Sequence, residues 1–313
     1  MTWSPADIPP LQDRVFVVTG ATAGIGYFSS ELLARSGAHV VLASRSASKL
    51  RTAQGTIRSQ APGASLSAVP FDLTSLTSVA DAAEELAAMP RIDGVLLNAG
   101  SMDLTRGKQT ADGLPTILGT HAVANFALLA GLVPSLMRTA PTAGIVSRIV
   151  HTSTGFVNLR AYDVDDVSAL PRSGVGEYTK AKTITEVFAF ELDRRLRTSG
   201  AQVSSLVVRP GVGVDAKTPE RTGIRDATTP YQRNYLTPFA QGKDTASWYG
   251  VRALTDPDAQ GGDYFAPPRP FQGPPVRVRP LERTRAPGAE IAGAVWRQLE
   301  ELSGTRLDLD ASR

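Results

Sequence analysis

The sequence has 313 residues, 42% hydrophobic and 20% charged, as is ordinary for a globular protein with one large core. The net charge of +3 comes without a dense lysine or arginine run, and the most basic stretch, residues 277–285, is spread among prolines, so no nucleic-acid partner is expected. The absence of cysteine excludes disulfides, thiolate metal sites and a cysteine nucleophile, and it fits a cytoplasmic protein.

Metal sites, secretion signals and membrane spans are not expected either. The three histidines, His39, His121 and His151, show no metal-ligand spacing. Residues 1–10 lack the basic and apolar segments of a secretory signal. The longest apolar stretch, residues 122–136, contains an asparagine and is shorter than the roughly 20 residues that span a bilayer.

Short apolar runs alternate with helical patterns along most of the chain. This order predicts an α/β fold, a doubly wound parallel sheet with helices on both faces. The predicted strands are residues 15–19, 39–43, 66–70, 94–97, 145–152 and 203–208. The predicted helices are residues 25–36, 47–60, 76–89, a long one within 112–137, one that carries Tyr178, and a terminal one at 289–302.

A glycine-rich turn, TGATAGIG at residues 19–26, joins the first predicted strand to the first predicted helix. Glycines at this place let backbone N–H groups approach a pyrophosphate at the helix N-terminus. The position in a βαβ unit indicates dinucleotide binding, and the alternative is a merely structural tight turn. The candidate residues in the turn are Gly20, Thr22, Gly24, Ile25 and Gly26.

The end of the second predicted strand distinguishes NAD from NADP. An acidic side chain there accepts hydrogen bonds from the ribose 2′-hydroxyl, whereas an arginine accommodates a 2′-phosphate. The sequence has no acid at this point and reads Ser44, Arg45 and Ser46. These three residues predict NADP(H), and the alternative is that Arg45 is an exposed arginine at a helix start.

Tyr178 and Lys182 are four residues apart, so on a helix their side chains share one face. Such a pair can transfer a proton to or from a carbinol oxygen, provided that a nearby positive charge lowers the tyrosine pKa from its usual value of about 10. Surface helices often carry the same spacing. The pair alone is therefore a weak indication of function.

Taken in order, the motifs resemble the short-chain dehydrogenase/reductase family, specifically its retinol-dehydrogenase-like branch, over roughly residues 12–270. The resemblance implies a Rossmann fold in a single domain, residues 1–313. A cofactor half would span about 12–110, a catalytic and substrate half about 111–265, and a Pro-rich segment with a terminal helix residues 266–313. Further cofactor residues implied by the resemblance are Asp72 at the adenine, Leu73 beside it, Asn98, Ala99 and Gly100 along the ribose, and Pro210 with Gly211.

The resemblance also implies roles at the reacting carbon. Tyr178 would transfer the proton, and Lys182 would bind the nicotinamide ribose and lower the tyrosine pKa. The family's catalytic serine aligns with Thr154, whose hydroxyl can donate the same hydrogen bond. Ser153 is the alternative if the strand slips by one residue.

Two other positions depart from the family pattern. His121 stands where the family has an asparagine that anchors a relay water; its ring either holds that water or simply fills space, with Asn125 one turn later as a partial substitute. Asp215 stands where the family has a threonine at the nicotinamide carboxamide. The cofactor contact at Asp215 is therefore expected to differ.

The segments 155–177 and 211–243 are expected to form the substrate wall over the carboxyl ends of the strands. Their aromatic residues favour a hydrophobic or aromatic small-molecule substrate, although ordinary loop packing is the alternative. The aromatic residues are Tyr162, Tyr231, Tyr235 and Phe239.

The sequence thus predicts an NADP(H)-dependent oxidoreductase that transfers a hydride between nicotinamide and a carbonyl or alcohol carbon. The altered site leaves two alternatives open, a redox-neutral epimerase, dehydratase or cyclase, and a non-catalytic NADP-binding regulator. The resemblance also implies a possible homodimer through the helices near 111–137 and 176–199, unless the C-terminal segment covers that surface, so the oligomeric state stays open. Substrate identity and reaction direction stay open.

Overall fold

A computed structural model describes residues 2–100 and 103–309; residue 1 and residues 310–313 of the predicted domain lie outside the described residues. The strands are β1 Val15–Thr19, β2 His39–Ser44, β3 Ser65–Pro70, β4 Gly94–Leu97, β5 Ser147–Thr152, β6 Val203–Val208, β7 Gly213–Val214, β8 Gln241–Gly242, β9 Tyr264–Ala266 and β10 Val276–Val278. The helices are α1 Gly24–Arg35, α2 Ala47–Gln60, α3 Leu76–Ala87, α4 Thr116–Leu118, α5 Ala124–Ala143, α6 Phe156–Leu159, α7 Gly174–Thr198, α8 Lys243–Thr255, α9 Glu282–Arg285 and α10 Ala289–Ser303.

The central sheet has eight strands in the order β10-β9-β6-β5-β4-β1-β2-β3. Its strands run parallel except for β10, which pairs antiparallel with β9 at the edge. Every residue of β4 and β6 is buried, as expected for strands covered on both faces. The predicted doubly wound α/β fold in a single domain is confirmed.

Two hydrophobic cores lie on the two faces of the sheet. One contains Leu86, Leu129 and Phe188 from α3, α5 and α7, together with Trp296 of α10. The other is formed mainly by α1, α2 and α8, where Tyr249 is fully buried. Both faces are therefore closed to water, and the ends of the parallel strands are left as the place for a site.

A π-helical turn, Gly119–Val123, joins α4 to α5. The resulting helix, Thr116–Ala143, is long and apolar enough to cross a membrane by length and composition, but 83% of its most apolar window is buried inside the protein, as in a core helix. Turns of the π type are rare and often occur at functional sites. This one carries His121.

Two parts of the fold differ from the sequence prediction. Helix α8 was not predicted, because its buried face consists largely of small and polar residues such as Ala246, Ser247 and Gly250. The Pro-rich segment, for which no strand or helix was predicted before residue 289, contains β10 and α9. The parallel sheet therefore gains an antiparallel edge strand, and prolines are tolerated around an edge strand because its outer hydrogen bonds are not needed.

Candidate active site

A cleft of about 530 Å³ lies at the carboxyl ends of β1 to β4. Many of its lining residues were predicted as cofactor contacts: Gly20, Ser44, Arg45, Asp72, Leu73, Asn98, Ala99 and Gly100. The remaining lining residues, Phe71, Thr74, Asp103, Thr116 and Thr120, were not predicted. The predicted residues Thr22, Gly24, Ile25, Gly26, Ser46, Pro210 and Gly211 are not part of this lining.

Thr19 joins the ends of two strands at the floor of the cleft. Its Oγ1 accepts hydrogen bonds from the backbone N–H groups of Asn98 and Ala99, both at 3.0 Å, and donates to the Leu96 carbonyl at 3.3 Å. The Asn98 amide donates back to the Thr19 carbonyl at 3.2 Å. These bonds fix the backbone of the predicted ribose segment.

The glycine turn closes more tightly than larger residues would allow. A Cβ atom at Gly26 would lie 2.4 Å from the Gly20 carbonyl oxygen, and one at Gly20 would lie 3.1 Å from the Asn98 amide nitrogen. Ala23 precedes α1 and supplies no side-chain cap, and the first turn of α1 contains no acidic residue. An uncapped, glycine-lined helix N-terminus fits a pyrophosphate.

The β2 end presents Arg45 to solvent, with its side chain 74% exposed and Nη1 3.9 Å from Asp72 Oδ2. Ser46 is the N-cap of α2, since its hydroxyl accepts the N–H of Lys49 at 3.3 Å. Asp72 also accepts the backbone and side-chain hydrogens of Thr74. Among Arg45, Ser46 and Asp72, Arg45 is therefore the positively charged residue at the end of the cleft where the adenosine is predicted to bind.

Tyr178 and Thr154 meet at the carboxyl end of β5. The Thr154 hydroxyl lies beside the Tyr178 phenol. Burial raises the pKa of Tyr178, and the neighbouring Thr154 hydroxyl opposes this effect without reversing it. Ser153 instead donates to Glu186 Oε1 at 2.5 Å inside the protein, so its hydroxyl lies away from Tyr178.

Lys182 is buried one turn after Tyr178 and donates from Nζ to the Thr152 carbonyl at 2.6 Å. Burial lowers the pKa of Lys182 to about 8, although the Glu186 carboxylate raises it in part. The lowering of the tyrosine pKa that the resemblance assigns to Lys182 is not the net result here, because burial of the phenol dominates.

His121 packs between the cleft and Tyr178. Its ring centroid is 5.2 Å from that of Tyr178, and a Cβ atom at Gly100 would lie 2.0 Å from His121 Cε1. The His121 carbonyl accepts hydrogen bonds from Asn125 Nδ2 at 3.0 Å and Thr185 Oγ1 at 3.2 Å. Asn125 thus satisfies backbone oxygens that the π turn leaves without their α-helical partners.

Pro210 and Gly211 lie beneath Phe271 of the Pro-rich segment. Gly211 has φ +69°, and a Cβ atom there would lie 2.4 Å from the Phe271 carbonyl oxygen. The Pro210 carbonyl accepts the Gln241 amide at 2.7 Å. Pro210 and Gly211 are therefore held both by Gln241 of β8 and by Phe271 of the Pro-rich segment.

The predicted substrate aromatics are mostly exposed. Tyr231, Tyr235 and Phe239 lie on the surface of the loop between β7 and β8. The ring that contacts Tyr178 is Phe156 of α6, at a centroid distance of 6.3 Å and with 43% of its surface exposed. Phe156 was not among the predicted aromatic residues, although its position two residues after Thr154 was an available signal.

The comparisons with known proteins agree with this geometry. A family model described as short chain dehydrogenase matches residues 14–161. The chain is 30% identical to the Short chain dehydrogenase/reductase dpchH of Colletotrichum higginsianum, with 94% of this chain and 79% of that protein covered. The chain belongs to the short-chain dehydrogenase/reductase family.

The predicted branch is also confirmed. The chain is 32% identical to Retinol dehydrogenase 13 of Homo sapiens, with 72% of this chain and 65% of that protein covered. A crystal structure of an uncharacterized protein from Mycobacterium Paratuberculosis superposes with a TM-score of 0.77 at 25% identity, covering 98% of this chain and all of that one. Short-chain dehydrogenase/reductases are oxidoreductases that bind a nicotinamide cofactor, and the cleft is where this chain would hold it.

Proposed function

We propose that this short-chain dehydrogenase/reductase is an NADP(H)-dependent carbonyl reductase or alcohol dehydrogenase for a hydrophobic or aromatic small molecule. The placement of the Thr154 hydroxyl beside the buried Tyr178 phenol carries the proposal. Contacts link this pair to the cleft, since Gly100 lines the cleft and packs on His121, whose ring contacts Tyr178. Cofactor and proton donor would therefore meet at one place.

The side chains divide the work of a carbonyl reduction. The nicotinamide, when bound, supplies or accepts the hydride. Tyr178 gives its proton to the substrate oxygen, or takes it in the reverse direction, and Thr154 donates a hydrogen bond to the same oxygen. Lys182 holds a positive charge behind the pair, in a buried position where charge acts strongly.

NADP(H) is favoured by Arg45 and by the lack of an acid at the β2 end. An exposed guanidinium is able to form charge-assisted hydrogen bonds with a 2′-phosphate without breaking a short ion pair, because Asp72 is 3.9 Å away. Binding of NADPH and NADH, measured by fluorescence titration, tests this part. A preference for NADH would contradict it.

The substrate class follows from the surface beside Tyr178. Phe156 contacts the tyrosine ring, and Leu159 and Val175 expose apolar side chains on neighbouring elements, Leu159 to 78%. A small molecule with an apolar body would cover such surface favourably. The name of the relative Retinol dehydrogenase 13 is in line with an apolar substrate.

The test is turnover of NADPH with a panel of lipophilic aldehydes and ketones, followed by loss of NADPH absorbance and by product analysis. We expect alcohol products in equal amount to NADPH consumed. Tight NADPH binding with a rearranged product and no net oxidation would instead show a redox-neutral enzyme. Binding without any product from the panel would favour a regulator.

A further inference from the structure

Lys243 is the first residue of α8 and lies beside the glycine turn. A Cβ atom at Gly24 would lie 3.5 Å from Lys243 Cδ, and one at Gly213 would lie 3.2 Å from Lys243 Cγ. Only Cε separates Cδ from the ammonium nitrogen. The charge of Lys243 is therefore held within a few ångströms of the N-terminus of α1.

The Lys243 ammonium is restrained by an ion pair but stays partly exposed to solvent. Lys243 Nζ is 2.6 Å from Asp215 Oδ1, and the lysine side chain keeps 24% of its surface exposed. An exposed fraction of this size lets the ammonium reach a ligand at the glycine turn. The restraint by Asp215 sets its position in advance, which reduces the entropy lost when a ligand binds.

Asp215 has partners besides Lys243. Its Oδ2 accepts the Gln232 backbone N–H at 2.9 Å, and its carbonyl accepts Arg225 Nε at 3.3 Å. Burial alone would raise the pKa of Asp215, but the hydrogen bonds from Lys243 and from the Gln232 backbone outweigh it and lower the pKa. Asp215 therefore stays ionised and held when Lys243 shares its charge with a second anion.

Two positive features thus converge on one place. The first turn of α1 has no acidic residue and no side-chain cap, and Lys243 passes over Gly24 at its beginning. The partial charge of a helix N-terminus and a lysine ammonium both favour an anion. A phosphate there would receive donors from α1 on one side and from α8 on the other.

We infer that Lys243 is a pyrophosphate-binding residue of the cofactor site, positioned by Asp215. This inference rests on the proposed function and adds a residue far from the glycine turn in sequence. It also assigns a role to Asp215. Where the family has a threonine at the nicotinamide carboxamide, this chain has a carboxylate that positions the phosphate-binding lysine. Through Gln232 at its carboxylate and Arg225 at its backbone carbonyl, Asp215 ties the loop between β7 and β8 to the cofactor site.

The test compares Lys243→Met and Lys243→Arg with the unaltered protein, using three ligands. NADPH and ADP-ribose contain the pyrophosphate, whereas 2′-AMP contains only the adenosine end. We expect Lys243→Met to raise the Kd of NADPH and ADP-ribose about tenfold or more, since one charge-assisted hydrogen bond is lost. The Kd of 2′-AMP should not change, and Lys243→Arg should keep NADPH binding within about threefold.

Lys217→Met is the matched control. Lys217 lies between β7 and β8 and donates to the Ala240 carbonyl at 2.7 Å, so the variant removes one positive charge without touching the glycine turn. We expect its Kd for NADPH to stay within about twofold of the unaltered protein. Fluorescence and calorimetric titrations give each value without any need for turnover.

Three results would overturn the inference: an unchanged Kd for NADPH in Lys243→Met, an equal loss for all three ligands, or an equal loss in Lys217→Met. An equal loss for all ligands would indicate a general disturbance of the fold. Failure of the unaltered protein to bind either NADPH or ADP-ribose would instead reject the proposed function itself. The two failures are therefore distinguishable.

Discussion

At the scale of single residues, the site is organised by which hydroxyl reaches Tyr178. Successive residues of an extended segment point to opposite faces, and just after β5 the Ser153 hydroxyl donates to the buried Glu186 while the Thr154 hydroxyl lies beside Tyr178. Tyr264 also donates to Glu186 Oε1, at 2.9 Å. Ser153 is thus committed to a buried carboxyl network, and Thr154 is available to a substrate.

Tyr178→Phe tests the proton transfer. The variant keeps the ring contacts with His121 and Phe156 but loses the hydroxyl, so kcat for carbonyl reduction should fall about a hundredfold to ten-thousandfold. The Kd of NADPH should stay within about threefold, because the phenol is not part of the cleft lining. Unchanged kcat would show that another group moves the proton.

Three variants distinguish the role of Thr154 from that of Ser153. Thr154→Val removes the hydroxyl at constant shape and should lower kcat about a hundredfold, whereas Thr154→Ser should retain activity within about tenfold. Ser153→Ala should lower the free energy of unfolding by about 1 to 3 kcal/mol, because Glu186 loses a buried partner, while kcat changes little. Steady-state kinetics and urea unfolding measure both. A larger loss of kcat in Ser153→Ala than in Thr154→Val would reverse the assignment.

At the scale of elements, β5 contains a buried histidine directly before the catalytic segment. Within the part of the chain that the structure describes, His151 Nε2 has no hydrogen-bond partner, and its ring packs against Phe188 at 5.7 Å. Burial, with a smaller contribution from the charge of Lys182, lowers the pKa of His151 to about 3. The imidazole is therefore neutral in the folded protein throughout the physiological range.

This predicts an acid dependence of stability with a defined sign. Above pH 6.5 the histidine is neutral in both states, but below it the unfolded chain takes up a proton that the folded protein does not accept until about pH 3. Between pH 6.5 and pH 5, His151 should thus cost about 2 kcal/mol of unfolding free energy. Urea unfolding of the unaltered protein and of His151→Gln at both pH values gives the difference. An equal pH dependence in the two proteins would contradict the prediction.

The predicted bounds of strands and helices agree with the structure for some elements and not for others. The bounds of β1, β4, β6 and α2 follow from apolar runs and helical patterns and were predicted to the residue. Helix α8 was not, because small and polar residues such as Ser247 and Gly250 weaken the apolar stripe formed by Tyr249 and Leu254. The same omission hid Lys243, which reaches the glycine turn only through the position of α8.

The site was predictable where it depends on local backbone and less so where it depends on packing. Gly20 of the glycine turn and the residues after β2 and β4 line the cleft, whereas the rest of the turn does not. Ser153 faces away from Tyr178 because its hydroxyl donates to Glu186 of α7. Ser46, predicted to contact the cofactor, caps helix α2. Such choices are made by side chains distant in sequence or by backbone geometry that the motif does not encode.

At the scale of the whole molecule, α10 covers the surface formed by α5 and α7. The Trp296 ring packs 5.7 Å from Phe126 and 5.5 Å from Phe188, and Arg195 lies over it at 3.9 Å. Trp296, Val295 and Leu299 are buried in the larger core. The C-terminal helix is thus part of the core and not an appendage.

This arrangement predicts the oligomeric state. Because α10 occupies the α5 and α7 surface that a homodimer of the kind implied by the resemblance would use, we predict that the protein is a monomer in solution. Light scattering across a range of concentrations should give the mass of a single chain. A dimer whose formation depends on residues of α5 or α7 would contradict the prediction.

Trp296→Ala tests whether coverage of α5 and α7 by α10 keeps the protein monomeric. The substitution leaves a cavity against Phe126 and Phe188 and should lower the unfolding free energy by about 3 to 5 kcal/mol. It also loosens α10, so self-association that grows with concentration should appear as the apolar faces of α5 and α7 become accessible. Trp248→Ala, which removes a half-buried tryptophan that packs on Trp3 in the other core, is the control and should stay monomeric. Association in both variants would show that lost stability alone, and not the uncovered surface, brings the chains together.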